Sequence, residues 1–225
     1  MSVEILTLLA ESLVDTIYMV AISAAIAAVI GVPLGVILIT TGKGHILENI
    51  AFNRILGSLV NACRSTPFII LMVAIIPLTR IIAGTSIGTN AAIVPLSIAA
   101  IPFVGRIVES ALREVDQGLI EAATAMGASP REIILKVLIP EAMPSIAAGL
   151  TITIINLIGH SAMAGAIGGG GLGDLAIRYG YQRFRADIML ATVLVLIAMV
   201  QIVQSTGDYI AKRLNKKQLG GNSHA

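Results

Sequence analysis

Long stretches without a charged residue dominate this chain of 225 residues and limit what it can fold into. Four of them, of 27, 25, 32 and 20 residues, lie at 16–42, 81–105, 142–173 and 188–207. A helix needs about 20 apolar residues to cross about 30 Å of hydrocarbon. Each stretch therefore predicts a membrane-spanning helix, and continuous apolarity without alternation argues against the strands of a barrel.

A fifth uncharged stretch, 65–79, has only 15 residues. It reaches a spanning length if its helix begins near Gly57 and Arg64 extends toward one interface. The pattern thus predicts an all-α integral membrane protein, with one domain over residues 1–225. Its five spans are predicted near 13–40, 57–80, 87–109, 145–168 and 188–211.

The composition excludes several other classes of protein. Hydrophobic residues make up 56% of the chain and charged residues 12%, too few charges for a soluble enzyme or a disordered chain. A net charge of +2 without a basic stripe argues against nucleic-acid binding. A lone cysteine, Cys63, cannot form an intrachain disulfide. The spans contain no clustered metal ligands and no catalytic constellation, so neither a metal site nor an enzyme is predicted.

Lys and Arg residues distribute unequally between the two sides that five spans define. One side carries ten and the other four, counted over the connections and termini. Because basic residues favour the cytoplasmic side, the N-terminus is predicted outside and the C-terminus inside. The connection 110–144 is then cytoplasmic, and 169–187 is external.

The cytoplasmic connection predicts two short helices separated by a turn. Asp116 is suited to cap the first helix, and Gly127 stands where a residue with positive φ ends it. Ser129-Pro130-Arg131-Glu132 has the form of a capping box that begins the second helix. Pro140 is expected to end that helix. On periodicity alone, the connection is a helical hairpin lying on the membrane surface.

The exact residues of this connection resemble a known motif. Glu121-Ala122-Ala123, Gly127 and Val137-Leu138-Ile139-Pro140 follow one another at the spacing E-A-A-x3-G-x9-I-x-L-P. This pattern is similar to the EAA loop of bacterial ABC importer permeases, with conservative changes at 137 and 139. The resemblance implies a coupling helix that docks on a cytoplasmic ATPase. The residues assigned to it are Leu119, Glu121, Ala122, Ala123, Met126 and Gly127.

The resemblance is closest to the methionine-uptake permeases, at 64–71, 84–88, 92–96 and 159–173. It implies a subunit of a bacterial inner-membrane importer that moves an amino acid, methionine in this group, by alternating access. The implied partners are a second copy of the chain, two ATPase subunits that bind ATP and magnesium, membrane lipid and a substrate-binding protein or lipoprotein. No cofactor is implied in this chain. An importer of another small polar solute and an ion-coupled secondary transporter or channel remain alternatives.

Two helical faces are candidates for the transport pathway. Thr153, Asn156, His160 and Met163 are spaced 3, 4 and 3 residues apart and share one face of the fourth span. Hydrogen bonding to a neighbouring helix is the alternative for Thr153 and Asn156. A satisfied interior histidine is the alternative for His160, and gap filling is the alternative for Met163. Met163 is predicted to act as a hydrophobic gate at a two-fold axis.

The second span has a comparable face formed by Asn61, Ser65, Phe68 and Met72, with Phe68 and Met72 as the pathway candidates. Pro67 predicts a kink in this span. Arg64 is interpreted as an anchor at the cytoplasmic interface.

A glycine-rich run follows the fourth span. It does not follow a strand and lacks a Gly-Lys-Ser/Thr end, which argues against a phosphate-binding loop. A tight external turn or close helix contact is expected instead. The resemblance implies that this stretch lies near the outer mouth of the pathway, where it is a candidate contact for the binding protein or substrate. Its glycines are Gly168, Gly169, Gly170, Gly171 and Gly173.

Overall fold

The computed structural model describes residues 3–221, and the side chains of residues 5–215. This part of the chain is helical and contains no strand, which confirms the predicted fold class. The helices are α1 (Val3–Thr40), α2 (Ile50–Ser65), α3 (Phe68–Ala74), α4 (Ile76–Ala83), α5 (Thr89–Arg113), α6 (Gln117–Ala125), α7 (Pro130–Glu132), α8 (Ile139–Ala164), α9 (Gly171–Leu175) and α10 (Ala186–Gly221). π-Helical turns follow α7 and α9, at Ile133–Leu138 and Ala176–Tyr181. A kinked turn at Gly165–Gly169 follows α8, with non-helical dihedrals at Ile167 and Gly168.

Four helical segments in the described residues are long and apolar enough to cross a membrane. They are α1, α5, α10 and the run Pro130–Gly169, which contains α8. The pair α2 and α3 qualifies as a fifth span if its two helices are counted together. The predicted stretches 13–40, 145–168 and 188–211 fall within three of the long segments, and the stretch 87–109 begins two residues before α5. α1 begins ten residues earlier than predicted.

The predicted stretch 57–80 is not one helix. The chain divides there into α2, α3 and α4, and the axes of α2 and α3 meet at 102°. Pro67 supplies no N–H to continue α2, and it disfavours helical dihedrals at Thr66, which is extended at φ −83° and ψ 123°. The expected kink is therefore a sharp bend. Residues before and after it no longer share one helical face.

The central helix is α5, which packs against α1, α2 and α8. The contact with α1 is close because Gly31 and Gly35 face α5. A Cβ at Gly35 would lie 2.6 Å from the carbonyl oxygen of Gly105, and one at Gly31 would lie 2.9 Å from that of Ile101. Small residues four apart permit this approach of two backbones in a membrane. By contrast, only 11% of the most apolar part of α10 is buried.

A buried charge cluster connects α2 to α5. Glu109 is 6% exposed and accepts from Arg106 at 2.5 Å and from Arg113 at 2.6 Å. The other Nη of Arg106 donates to the Gly57 carbonyl oxygen at 2.9 Å. Pairing with two guanidinium groups compensates the cost of burying this carboxylate.

The expectation that Pro140 ends a short second helix is wrong. The chain is helical without interruption from Pro130 through Ala164, the end of α8. Before Pro140 the bonding pattern widens, and the Ile139 N–H bonds to the Ile134 carbonyl five residues earlier. Because this π-helical turn changes the register where the proline N–H is missing, the helix continues into the fourth span.

Candidate functional site

The turn after α6 lies in the segment 114–140, called the coupling segment below. The Gly127 N–H donates to the Thr124 carbonyl at 2.9 Å, and the Ala128 N–H donates to the Ala123 carbonyl at 3.1 Å. This pair of bonds is a Schellman motif, in which the residue after the helix takes a left-handed conformation. Gly127 has φ +82°, which confirms the predicted positive φ.

The helix starts in this segment are capped by side chains. Asp116 accepts from the Gly118 N–H at 2.7 Å and begins α6. Glu132 accepts from the Ser129 N–H at 3.1 Å and from its hydroxyl at 2.9 Å, and a capping box begins α7 as predicted. Lys136 pairs with Glu132 at 3.0 Å. The helices on both sides of the turn at Gly127 are therefore fixed by side-chain hydrogen bonds at their first residues.

α6 has a buried side and an exposed apolar side. Ala123 is 5% exposed and belongs to the main core, with Ile120 packed beside it. Leu119 and Met126 are 45% and 82% exposed. Glu121 and Ala122 are also exposed. The residues assigned to the coupling helix thus lie on different sides of it. Ala123, together with Ile120, which the prediction missed, anchors α6. Leu119 and Met126 remain free to contact a partner.

The bend between α2 and α3 forms one wall of a cavity of about 290 Å³, called the Arg64 cavity below. α5 and α8 form the other walls. Of the predicted pathway residues, Phe68, Asn156 and His160 line this cavity together. Arg64 lines the cavity as well, although the sequence alone indicates only an anchor at the membrane interface for this residue.

Phe68 and His160 form a stacked pair within this cavity. Their ring centroids are 4.5 Å apart and their planes differ by 6°. Phe68 is the first residue of α3 and is 7% exposed, because the bend directs it into the core against α8. The pair connects two helices that the sequence alone does not bring together, and it forms a flat wall.

Two polar groups in the Arg64 cavity have no polar partner in the part of the chain that the structure describes. The Arg64 guanidinium lies 5.9 Å from the centroid of the Phe103 ring, and no carboxylate among the described residues pairs with it. The Asn156 carboxamide makes no hydrogen bond within residues 3–221. Phe103 was not predicted as a site residue. Its only sequence signal is an aromatic in an aliphatic span, and its place opposite Arg64 depends on the bend.

The two remaining pathway candidates lie outside this cavity. Met72 lines a separate cavity of about 40 Å³ between α3, α5 and the end of α8. Met163 is 49% exposed on a face of α8 that also exposes Ile152, Asn156 and Gly159. The spacing of this stripe is 4, 3 and 4 residues, so its members stand above one another on one side of the helix.

The glycine run forms a tight turn with close packing. Positive φ values of +91°, +78° and +73° occur at Gly168, Gly170 and Gly171. A Cβ at Gly171 would lie 2.6 Å from the Thr16 hydroxyl, which accepts from a backbone N–H of α9 at 2.9 Å. A Cβ at Gly173 would lie 2.3 Å from a carbonyl oxygen of α8. The run therefore reverses the chain and fits α9 against α1 and α8.

The part of the chain that the structure describes contains no group of three or more His, Cys, Asp or Glu residues arranged to hold a metal ion.

Comparison with known proteins places this architecture in one family. The profile described as "Binding-protein-dependent transport system inner membrane component" matches residues 31–217. The chain is 58% identical over 203 residues to the probable D-methionine transport system permease protein MetI of Vibrio cholerae, covering 90% of each chain. It is 47% identical to the methionine import system permease protein MetP of Bacillus subtilis, covering 80% of this chain and 82% of the relative.

Solved structures agree with these sequence relatives. The chain superimposes with a TM-score of 0.94 on a chain of the inward-facing MetNI methionine ABC transporter, at 46% identity. The match covers 95% of this chain and 99% of that one. The family profile covers most of the chain, and the fold agrees over nearly its whole length. The chain therefore belongs to the binding-protein-dependent transport system inner membrane component family, the membrane permease subunits of bacterial ABC importers.

Proposed function

We propose that this chain is the permease of an ATP-driven methionine importer and that its coupling segment docks on the ATPase subunits. The observation that carries the coupling role is a pair of exposed apolar residues next to the left-handed turn at Gly127: Leu119 on α6, and Met126 directly after it. A short helix that is anchored on one side and apolar on the other is suited to follow the movement of a partner subunit. Methionine as the substrate is supported by the names of the relatives at 58% and 47% identity.

The path from the coupling segment to the membrane is mechanically direct. Because the chain is helical without a break from Pro130 through Ala164, a movement of α7 is transmitted to α8 without an intervening loop. α6 follows the same movement, because Ala123 and Ile133 both belong to the main core. ATP and magnesium bind in the partner subunits, and this chain supplies no chemical step. Closure of the two ATPase subunits then reorients the spans, which is alternating access.

The exposed stripe of α8 supports a second copy of the chain as a partner. Asn156, Gly159 and Met163 face outward from the single chain. Small and flexible residues permit two α8 helices to approach, and a thioether yields when the pathway opens. Met163 is thereby proposed as the gate at the two-fold axis, where an apolar constriction excludes water and solute.

The basic residues set the proposed orientation, with the N-terminus outside and the C-terminus and coupling segment in the cytoplasm. The glycine turn at 168–173 then lies at the external mouth. We place the substrate-binding protein or lipoprotein there, because a rigid turn that packs against α1 and α8 offers a fixed docking edge.

Uptake in whole cells tests the proposal. Cells that lack their own methionine permease should accumulate radiolabelled L- and D-methionine when they express this chain with its ATPase and binding protein. The matched negative control expresses the same three proteins with Gly127→Val as the only change. Uptake of another small polar solute, but not of either methionine isomer, would contradict the substrate assignment. Uptake that follows a sodium or proton gradient and survives ATP depletion would contradict the ATP-driven mechanism.

A further inference from the structure

The Arg64 cavity has the size and lining of a small-ligand site. Its volume of about 290 Å³ is near the lower end of the range of about 300–1,000 Å³ that is common for such sites. Apolar and aromatic side chains form most of the lining, and a few polar groups converge among them. A ligand of the size of a single amino acid fits this description better than a larger solute.

The cation of this cavity, Arg64, lacks a counterion among the described residues. Arg106 and Arg113 lie nearby on α5, and each forms an ion pair with Glu109. Arg64 forms no ion pair with the described residues, and no Asp or Glu lines the cavity. A guanidinium beside apolar walls gains most from a carboxylate, which it can bind through two parallel hydrogen bonds.

The remaining lining defines what else the ligand can carry. The Asn156 carboxamide has a free oxygen that can accept from an ammonium group. The Phe68–His160 stack and the Phe103 ring offer flat surfaces, against which a thioether or an alkyl chain packs favourably. A cationic side chain would find no carboxylate here. An acidic side chain would find no second guanidinium or ammonium group in the cavity, and His160, the other basic side chain of the lining, is stacked on Phe68.

We infer that the Arg64 cavity binds a zwitterionic α-amino acid with an uncharged, apolar side chain. The carboxylate bonds to Arg64, the ammonium bonds to the Asn156 carbonyl oxygen, and the side chain packs against the stacked pair. This inference rests on the proposed function and adds a defined substrate site within this chain. Met163 follows His160 by three residues on the same helix, so the site lies next to the proposed gate.

Photo-crosslinking locates the ligand directly. The complex of permease and ATPase subunits, in phosphatidylcholine nanodiscs without binding protein, is labelled with the diazirine analogue of methionine, and the adducts are mapped by mass spectrometry. Adducts are expected on peptides containing Phe68, Phe103 or Asn156. L-methionine should protect these peptides, whereas methioninol, which lacks the carboxylate, should not.

Two variants test the assigned contacts. Arg64→Met should raise the L-methionine concentration that gives half protection by about tenfold or more, the loss expected for a hydrogen-bonded charge pair. Arg54→Met removes the same charge from an exposed site on the same helix. This control should leave the half-protecting L-methionine concentration unchanged. Asn156→Ala should lower the preference for methionine over 4-(methylthio)butanoate, which lacks the ammonium group. Co-purification of the ATPase subunits with each variant shows that assembly is intact.

Three results would overturn the inference. They are adducts only outside the cavity, equal protection by methioninol, and the same half-protecting concentration in Arg64→Met and Arg54→Met. Loss of the adducts when phosphatidylglycerol is added would instead assign the cavity to a lipid headgroup. ATP-driven methionine uptake by the wild-type complex is measured in parallel. If uptake occurs but labelling misses the cavity, only the site is refuted. If the wild type takes up no methionine, the proposed function fails.

Discussion

Replacing Gly127 with valine isolates backbone strain in the coupling segment. The residue has φ +82°, and a Cβ built there meets no atom within 4 Å. The substitution therefore introduces no clash with neighbouring residues, and its cost arises from the left-handed conformation alone. This conformation costs an ordinary L-residue about 1–2 kcal/mol, and it costs a β-branched residue more.

A cost of about 1–2 kcal/mol lowers the population of the intact turn about 5- to 30-fold relative to the opened one. Opening the turn disrupts the Schellman bonds and releases α6 from α7, while the core contacts of the spans remain. We expect normal membrane insertion of Gly127→Val, at least fivefold less ATPase subunit co-purified with the tagged permease, and a similar loss of ATP-driven uptake. Gly127→Asn should lose less ATPase association and less uptake than Gly127→Val, because asparagine tolerates this conformation.

Gly44 provides the matched control. It has φ +78° in the connection between α1 and α2, and a Cβ there also has no neighbour within 4 Å. Gly44→Val therefore imposes the same strain outside the coupling segment and should keep its ATPase association and uptake. Normal uptake by Gly127→Val, or an equal loss in Gly44→Val, would refute the assignment of the turn at Gly127 to coupling.

Three further predictions concern helix packing, the gate and sidedness. Gly35→Leu should lower the thermal-unfolding midpoint in detergent because its Cβ would lie 2.6 Å from a backbone oxygen, and overpacking of this kind costs about 1–3 kcal/mol. Val29→Leu, on an exposed face of α1, should leave the midpoint unchanged. In a Cys63→Ser background, Met163→Cys should cross-link two copies of the chain, whereas Leu194→Cys on the exposed face of α10 should not. An N-terminal tag should be reached from outside the cell and a C-terminal tag only after permeabilisation; both tags on one side would contradict five spans.

Features that depend on local signals could be predicted from the sequence. Charge-free stretches located the four long segments, because burial in lipid requires apolarity over a whole helix. The positive φ of Gly127 and the capping box at Ser129 were predicted, because each is determined by a few adjacent residues.

Features that depend on distant contacts could not be predicted. Pro67 indicated a kink, but its size of 102° depends on the space that α5 and α8 leave for α3. The stacking of Phe68 on His160 follows from that bend, so no local pattern indicates it. At Pro140 the local rule failed, because a π-helical turn accommodates the missing N–H and the helix continues.

ATP-driven transport by a fully purified system tests the central claim most directly. Proteoliposomes contain this permease, its ATPase subunits and enclosed ATP with magnesium, and the binding protein loaded with radiolabelled methionine is added outside. We predict uptake that requires hydrolysable ATP and falls at least fivefold when Gly127→Val is the only change, while Gly44→Val transports normally. Methionine uptake that is equal with and without ATP, or unchanged by Gly127→Val, would contradict the account of this chain as an importer permease driven through its coupling segment.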